Sequence, residues 1–131
     1  METDVIYRKL QEANRDLEDF EDDFHRTLIK IDEEYQENND TYRHNLQLIE
    51  TEAEFARYFV QKLKLEEHTE LLSNYLQSLV PYQEEFEQDH RRRESELALF
   101  EDEVRQDFRK KRAIREEKIE KLRREYGQNI K

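Results

Sequence analysis

The chain has no cysteine and no tryptophan, and its 131 residues include a single glycine and a single proline. Without cysteine, a disulfide, a thiolate metal site and a cysteine nucleophile are excluded. One glycine leaves no room for a glycine-rich phosphate-binding loop or for the nucleophile elbow of serine hydrolases. Because residues that form turns are so scarce, the connections of a β-sheet have almost no material, and we expect an all-α protein.

Long hydrophobic runs are also missing. No uncharged apolar stretch approaches the roughly 18 residues that a membrane span requires, and the N-terminal METDVIYRKL is too polar for a signal peptide. We therefore expect no membrane insertion and a chain that starts in the cytoplasm, while export together with a partner stays open. Seven Phe and seven Tyr at regular spacings favour a folded chain over a disordered one.

Charge is abundant and unevenly placed. Charged residues make up 44% of the chain, and its net charge is −11. Residues 1–40 carry 5 Lys and Arg against 14 Asp and Glu, a net charge of −9, whereas residues 105–131 carry 11 against 5, a net charge of +6. The two segments can attract each other within the fold, or they can attract different partners.

The N-terminal part of the chain has the narrow apolar stripe of a coiled-coil helix, with alternating steps of three and four residues. Tyr35 and Tyr42 are seven residues apart, so the stripe continues through Asn38 and predicts one long helix over about 3–64. Asn38 to Asp40 is also suitable for ending a helix and capping the next, and a three-helix bundle with a break there stays open as the alternative. The stripe begins with Ile6, Leu10, Ala13, Leu17, Phe20 and Phe24.

The stretch from Ala53 to Tyr82 is the most apolar part of the chain, and its stripe is broader than elsewhere, so more than one neighbour is expected to cover it. A polar bend is predicted over 64–69, followed by a short helix over about 70–79. Pro81 suits the start of a helix, and the residue before a proline is disfavoured inside one. We therefore place a helix boundary at 79–81.

The last helix is predicted over about 81–126, with Gly127 as its stop. Together these elements predict a single helical domain over 1–131 with an all-α fold. Its expected architecture is an elongated, coiled-coil-like antiparallel helical hairpin with a short helix at its tip. The predicted apolar seam of the last helix consists of Tyr82, Phe86, Leu97, Phe100, Val104, Phe108, Ile114, Ile119, Leu122 and Tyr126.

Catalytic, metal and nucleic-acid motifs are weak. Glu87 with His90, and Asp22 with His25, have the i, i+3 spacing of helical metal ligands, but a di-metal site needs further carboxylates that no pattern supplies. The basic runs 91–93 and 109–112 lie in an acidic chain, which favours charge paired within the fold over nucleic-acid binding. We expect no enzyme activity, no cofactor, no metal site and no nucleic acid.

Several features together resemble a known family. They are the length, the acidic first helix, the aromatic-rich Phe55-Ala56-Arg57-Tyr58-Phe59 and the long charged last helix. The chain resembles the small helical companion proteins encoded beside LXG toxins of Gram-positive type VII secretion systems. The resemblance implies an adaptor or targeting chaperone that binds the helical targeting domain of a toxin. The chain has neither the W-x-G turn nor the Y-x-x-x-D/E signal of the related WXG-type secreted proteins, which fits an adaptor.

From the residues and this resemblance we expect a non-enzymatic helical adaptor that binds amphipathic helices of a protein partner in a hetero-oligomer. The alternative is a homodimeric coiled coil that acts as a structural spacer. The partner interface is predicted in the broad apolar stretch, because the neighbouring seam is too narrow to form a core by itself and leaves aromatic rings half covered for a helical partner. Its predicted residues are Phe55, Tyr58, Phe59, Leu72, Tyr75 and Leu76.

Overall fold

The computed structural model describes residues 2–63 and 68–130. Over these residues the chain is all-α, with three helices and no strand. Helix α1 spans Glu2–Lys62, α2 spans Thr69–Ser78 and α3 spans Val80–Ile130. Of the polar bend predicted over 64–69, residues 64–67 lie outside the described residues.

Helix α1 runs through the segment from Asn38 to Asp40 without a break. The three-helix bundle that required a break there is therefore wrong. The physical reason lies in Asn38, which is half-buried and donates a hydrogen bond from Nδ2 to the backbone carbonyl of His90 at 3.1 Å. Its side-chain amide thus bonds to a residue of α3 instead of terminating its own helix.

The boundary predicted at 79–81 lies at Leu79, between α2 and α3. The carbonyl of Leu79 accepts a hydrogen bond from the amide of Gln83 at 3.1 Å, which is the first bond of α3. Pro81 lies in the first turn of that helix, where an amide proton would have no partner inside the helix. Proline is therefore accommodated here without loss of a hydrogen bond.

The other end of α3 differs from the prediction. The helix continues through Gly127 to Ile130 instead of stopping after Tyr126. Gly127 does not adopt the left-handed backbone conformation of a glycine cap, and no atom lies within 4 Å of the place where a Cβ would be. The residue is an ordinary helical position.

The contacts divide the chain into two compact units, each containing parts of α1 and α3. Among the described residues, unit 1 comprises 2–32 with 98–130, and unit 2 comprises 33–63 with 68–97. In unit 1 the buried side chains of Ala13, Ile119 and Leu122 form a cluster, and Leu10 and Leu17 pack against it. These α1 residues are the stripe predicted from the sequence.

Aromatic pairs join α1 and α3 along unit 1. Phe24 and Phe108 stack with ring centroids 3.7 Å apart and an interplanar angle of 6°, and Phe20 lies 5.2 Å from Phe108 on the same side. Tyr7 meets Tyr126 at 5.9 Å. Because later residues of α3 meet earlier residues of α1, the two helices run antiparallel within this unit.

One seam position of unit 1 holds a cation where an apolar residue was predicted. Arg115 is seven residues after Phe108 and seven before Leu122, and its guanidinium lies 3.9 Å from the ring centroid of Phe20. Ile114, predicted in the seam, is instead 66% exposed. The heptad spacing thus places the arginine at the interface, where its stem and guanidinium cover an aromatic ring. Two other predicted seam residues, Tyr82 and Phe100, are also exposed.

Within unit 1, ion pairs join the basic segment of α3 to the acidic segment of α1. Arg112 lies 3.4 Å from Glu21, and Arg115 lies 3.2 Å from Asp16. These pairs are partly exposed, and exposed ion pairs contribute roughly 0–1 kcal/mol each. They therefore fix orientation more than they add stability.

Unit 2 is joined by polar side chains near its middle. His90 donates from Nε2 to Asn39 Oδ1 at 2.7 Å, and its ring lies 4.6 Å from that of Tyr42. Asn38 adds its bond to the His90 carbonyl. Arg93 lies 3.2 Å from Glu34, so a later residue of α3 meets an earlier residue of α1 than His90 does, and the two helices run antiparallel within this unit.

Candidate protein-docking groove

Exposed apolar side chains concentrate in unit 2. Among the described residues, fifteen large hydrophobic side chains are exposed, and nine of them lie between residues 48 and 82. Large apolar side chains that are exposed singly are normal, whereas a contiguous group marks a surface that binds something. The nine are Leu48, Phe55, Tyr58, Phe59, Leu63, Leu71, Tyr75, Val80 and Tyr82.

A groove of about 390 Å³ lies between the C-terminal part of α1 and α2, and it is entirely within unit 2. One wall of the groove is formed by α1, and its lining residues are spaced i, i+3, i+4, i+7 and i+8. The other wall is formed by α2 and the residue before it, with lining residues spaced i, i+3, i+4 and i+7. Each wall is therefore one face of a helix. The α1 wall consists of Glu52, Phe55, Ala56, Phe59 and Val60, and the other wall of His68, Leu71, Leu72 and Tyr75.

Several apolar side chains that line the groove have a large fraction of their surface exposed to solvent. Phe55 and Leu71 are each 63% exposed, Phe59 is 50% exposed and Tyr75 is 40% exposed. The rings of Phe55 and Phe59 lie 6.1 Å apart along α1. Ala56, half-buried beside them, has a side chain small enough to leave space between the walls. The result is an open apolar groove.

Four of the six predicted interface residues line this groove. They are Phe55, Phe59, Leu72 and Tyr75. The structure does not bring the other two to it. Tyr58 is exposed outside the groove, with Lys62 Nζ 5.5 Å from its ring centroid, and Leu76 is half-buried without lining the groove. That the lining residues bind a partner stays a prediction.

Sequence reasoning missed several lining residues, of which Leu71, 63% exposed, is the most exposed apolar one. It is adjacent to Leu72, and both are apolar, so the sequence does not say which one faces solvent. The four-residue step from Leu71 to Tyr75 was the available signal, because residues at that spacing share a helix face. The other missed lining residues are Glu52, Ala56, Val60 and His68.

The side chains with metal-like spacing have other partners. Glu87 accepts a hydrogen bond from Arg91 at 2.6 Å, and His90 bonds to Asn39. Asp22 and His25 are exposed. Over residues 2–63 and 68–130, no group of three or more His, Cys, Asp or Glu side chains is arranged to hold a metal ion.

The first basic run is paired with acidic side chains. The ion pairs are Arg91 with Glu87, Arg92 with Asp89 and Arg93 with Glu34, at 2.6, 2.8 and 3.2 Å. In the second run, Lys111 pairs with Asp107 and Arg112 with Glu21. Much of the basic charge is therefore engaged inside the chain.

None of the three helices, in the part of the chain that the structure describes, contains a stretch long and apolar enough to cross a lipid bilayer. Comparisons of the chain with protein-family models, with curated proteins and with solved structures found no match.

Proposed function

We propose that the protein is a helical adaptor that acts by binding, not by catalysis, and that the groove of unit 2 receives an amphipathic helix of a partner protein. The observation that carries this proposal is the groove itself, with two helical walls and exposed aromatic and aliphatic side chains. A third helix that fits between two helices uses side chains at i, i+3 or i+4 and i+7, the same spacing as the walls.

The exposed apolar area of the groove is large enough to contribute several kcal/mol to binding when a partner covers it. A fully covered aromatic side chain buries about 150–250 Å², so each half-exposed ring has roughly 100 Å² left to bury. At about 25 cal/mol per Å², covering one ring contributes roughly 2.5 kcal/mol. Phe55 and Phe59 are two such rings on one wall. Part of this gain is offset by the loss of motion on association.

We further propose that the partner is the helical targeting domain of an LXG-type toxin, and that the protein serves as a targeting chaperone in type VII secretion. What supports this partner is the resemblance described above. The elongated hairpin predicted from the sequence is part of the same proposal, and it is supported by the antiparallel pairing of α1 with α3 within each unit.

The test is calorimetric titration of the purified protein with the purified N-terminal domain of a toxin encoded by the adjacent gene. Phe55→Ser removes the more exposed ring of the groove, and we expect affinity to fall about 30-fold, which corresponds to about 2 kcal/mol. The matched control is Leu99→Ser, because Leu99 is 66% exposed and belongs to unit 1. Circular dichroism must show unchanged helicity for both variants.

Equal affinities of the wild type and the Phe55→Ser variant would show that the groove is not the docking site. A neighbouring gene that does not encode such a toxin, or a toxin domain that does not bind, would refute the proposed partner. In that case the groove would need a different helix as its occupant.

A further inference from the structure

The negative charge of the chain is concentrated in the unit that contains the groove. Residues 33–97 hold 16 Asp and Glu against 7 Lys and Arg, a net charge of −9, whereas the rest of the chain holds 18 against 16, a net charge of −2. These two values account for the full net charge of −11. The unit that contains the groove is therefore strongly acidic, although most of the lining side chains are apolar.

One acidic side chain lines the groove, and it is not neutralised by any residue of the described segments. Glu52 lines the groove itself. Glu50 and Glu54 lie on the opposite face of α1 from the groove, and Glu70 lies on the opposite face of α2, so these three add to the charge of the unit and not to the groove wall. None of these four carboxylates forms an ion pair with a residue of the described segments, whereas Glu87 and Asp89 of α3 do. The charge of Glu52 is therefore available to an occupant, and the other three carboxylates act on it only through the long-range field of the unit.

We infer that the groove recognises a basic amphipathic helix of a different protein and not the same groove of a second copy of this chain; this inference rests on the proposed function. A basic helix is attracted by the net charge of −9, and its association rate rises as salt is lowered. A second copy that paired groove to groove would bring another −9 to the same surface, and like charges across an interface oppose association.

The position of Glu52 also predicts where a lysine or arginine lies on the bound helix. It lies eight residues before Val60, so about 12 Å separates the two ends of the α1 wall. A lysine or arginine that pairs with Glu52 therefore lies at one end of the apolar stripe of the occupant, about two helical turns from its far anchor. The apolar stripe provides the contact area, and the terminal cation selects the orientation.

The experiment uses two synthetic helical peptides of about five turns. Both carry leucine at i, i+3, i+4 and i+7, and their remaining positions are lysine-rich in one and glutamate-rich in the other. Fluorescence anisotropy measures binding to the full chain and to three variants. These are Phe55→Ser in the groove, Glu52→Lys at its end, and Glu84→Lys as a control of equal charge change elsewhere in unit 2.

We expect the lysine-rich peptide to bind the wild type at least about tenfold more tightly than the glutamate-rich one at low salt. Glu52→Lys should weaken the lysine-rich peptide about fivefold more than Glu84→Lys does, because only Glu52 lines the groove. Phe55→Ser should weaken the lysine-rich peptide whatever the salt concentration.

Three results would overturn part of the account, and they are distinguishable. If both peptides bind equally but Phe55→Ser weakens both, the charge preference is wrong and the docking groove stands. If Phe55→Ser leaves binding unchanged, the groove is not the site and the proposed function fails with it. If sedimentation shows a dimer that Phe55→Ser dissociates, the occupant is a second copy.

Discussion

Phe108 is the most connected aromatic side chain of unit 1, and its removal is a sharp test of how α1 and α3 are held together. Its ring stacks on Phe24 at 3.7 Å and on Phe20 at 5.2 Å, and the guanidinium of Arg112 lies 5.9 Å from it. A fully buried Phe→Ala substitution costs about 3–5 kcal/mol. Because Phe108 is half-buried, we expect Phe108→Ala to lower the free energy of unfolding by about 2–3 kcal/mol.

The assay is urea denaturation followed by far-ultraviolet circular dichroism, with the slope of the transition checked for each variant. Phe100→Ala is the matched control, because Phe100 is in the same helix, is 48% exposed and has no ring partner among the described residues. Its cost should stay below about 1 kcal/mol. A double-mutant cycle of Phe24 and Phe108 should give a coupling of about 0.5–1.5 kcal/mol. Equal costs for Phe108→Ala and Phe100→Ala would refute the aromatic seam.

Two further predictions concern single positions. Asn38→Ala removes the hydrogen bond to the His90 carbonyl, and Asn45→Ala makes the same change at a half-buried residue of α1 that lacks such a bond. We expect the Asn38→Ala variant to be about 1 kcal/mol less stable than the Asn45→Ala variant. Equal denaturation midpoints would contradict the role of Asn38. Gly127→Ala should raise the melting temperature, with a gain of up to about 1 kcal/mol, because Gly127 is helical with open space around it; a loss would indicate that the glycine ends the helix.

The fold class follows from composition, because one glycine and one proline leave only helices. The unbroken α1 follows from the seven-residue spacing of Tyr35 and Tyr42, which outweighs the capping preference of the asparagines between them. The end of α3 was predicted wrongly, because a glycine near a terminus caps a helix only when its backbone turns left-handed, and nothing in the sequence determines that at Gly127.

The candidate groove was partly predictable. The α1 wall follows from helical spacing, because Phe55 and Phe59 lie four residues apart on one face. The facing wall does not, since the position of α2 against α1 depends on tertiary packing and not on the spacing of Leu71 and Tyr75. Arg115 shows the same limit in unit 1, because apolar patterns assign the seam to Ile114, whereas heptad spacing from Phe108 places the arginine there.

The most direct test of the central claim is site-specific photo-cross-linking to the bound partner. A photoreactive phenylalanine analogue replaces Tyr75, which lines the groove, or Tyr82, which is 58% exposed in the same unit outside it. We expect the Tyr75 position to form adducts with an amphipathic helix of the partner, mapped by mass spectrometry, and we expect the Tyr82 position to form none. Equal adducts from both positions, or adducts from Tyr82 alone, would contradict it.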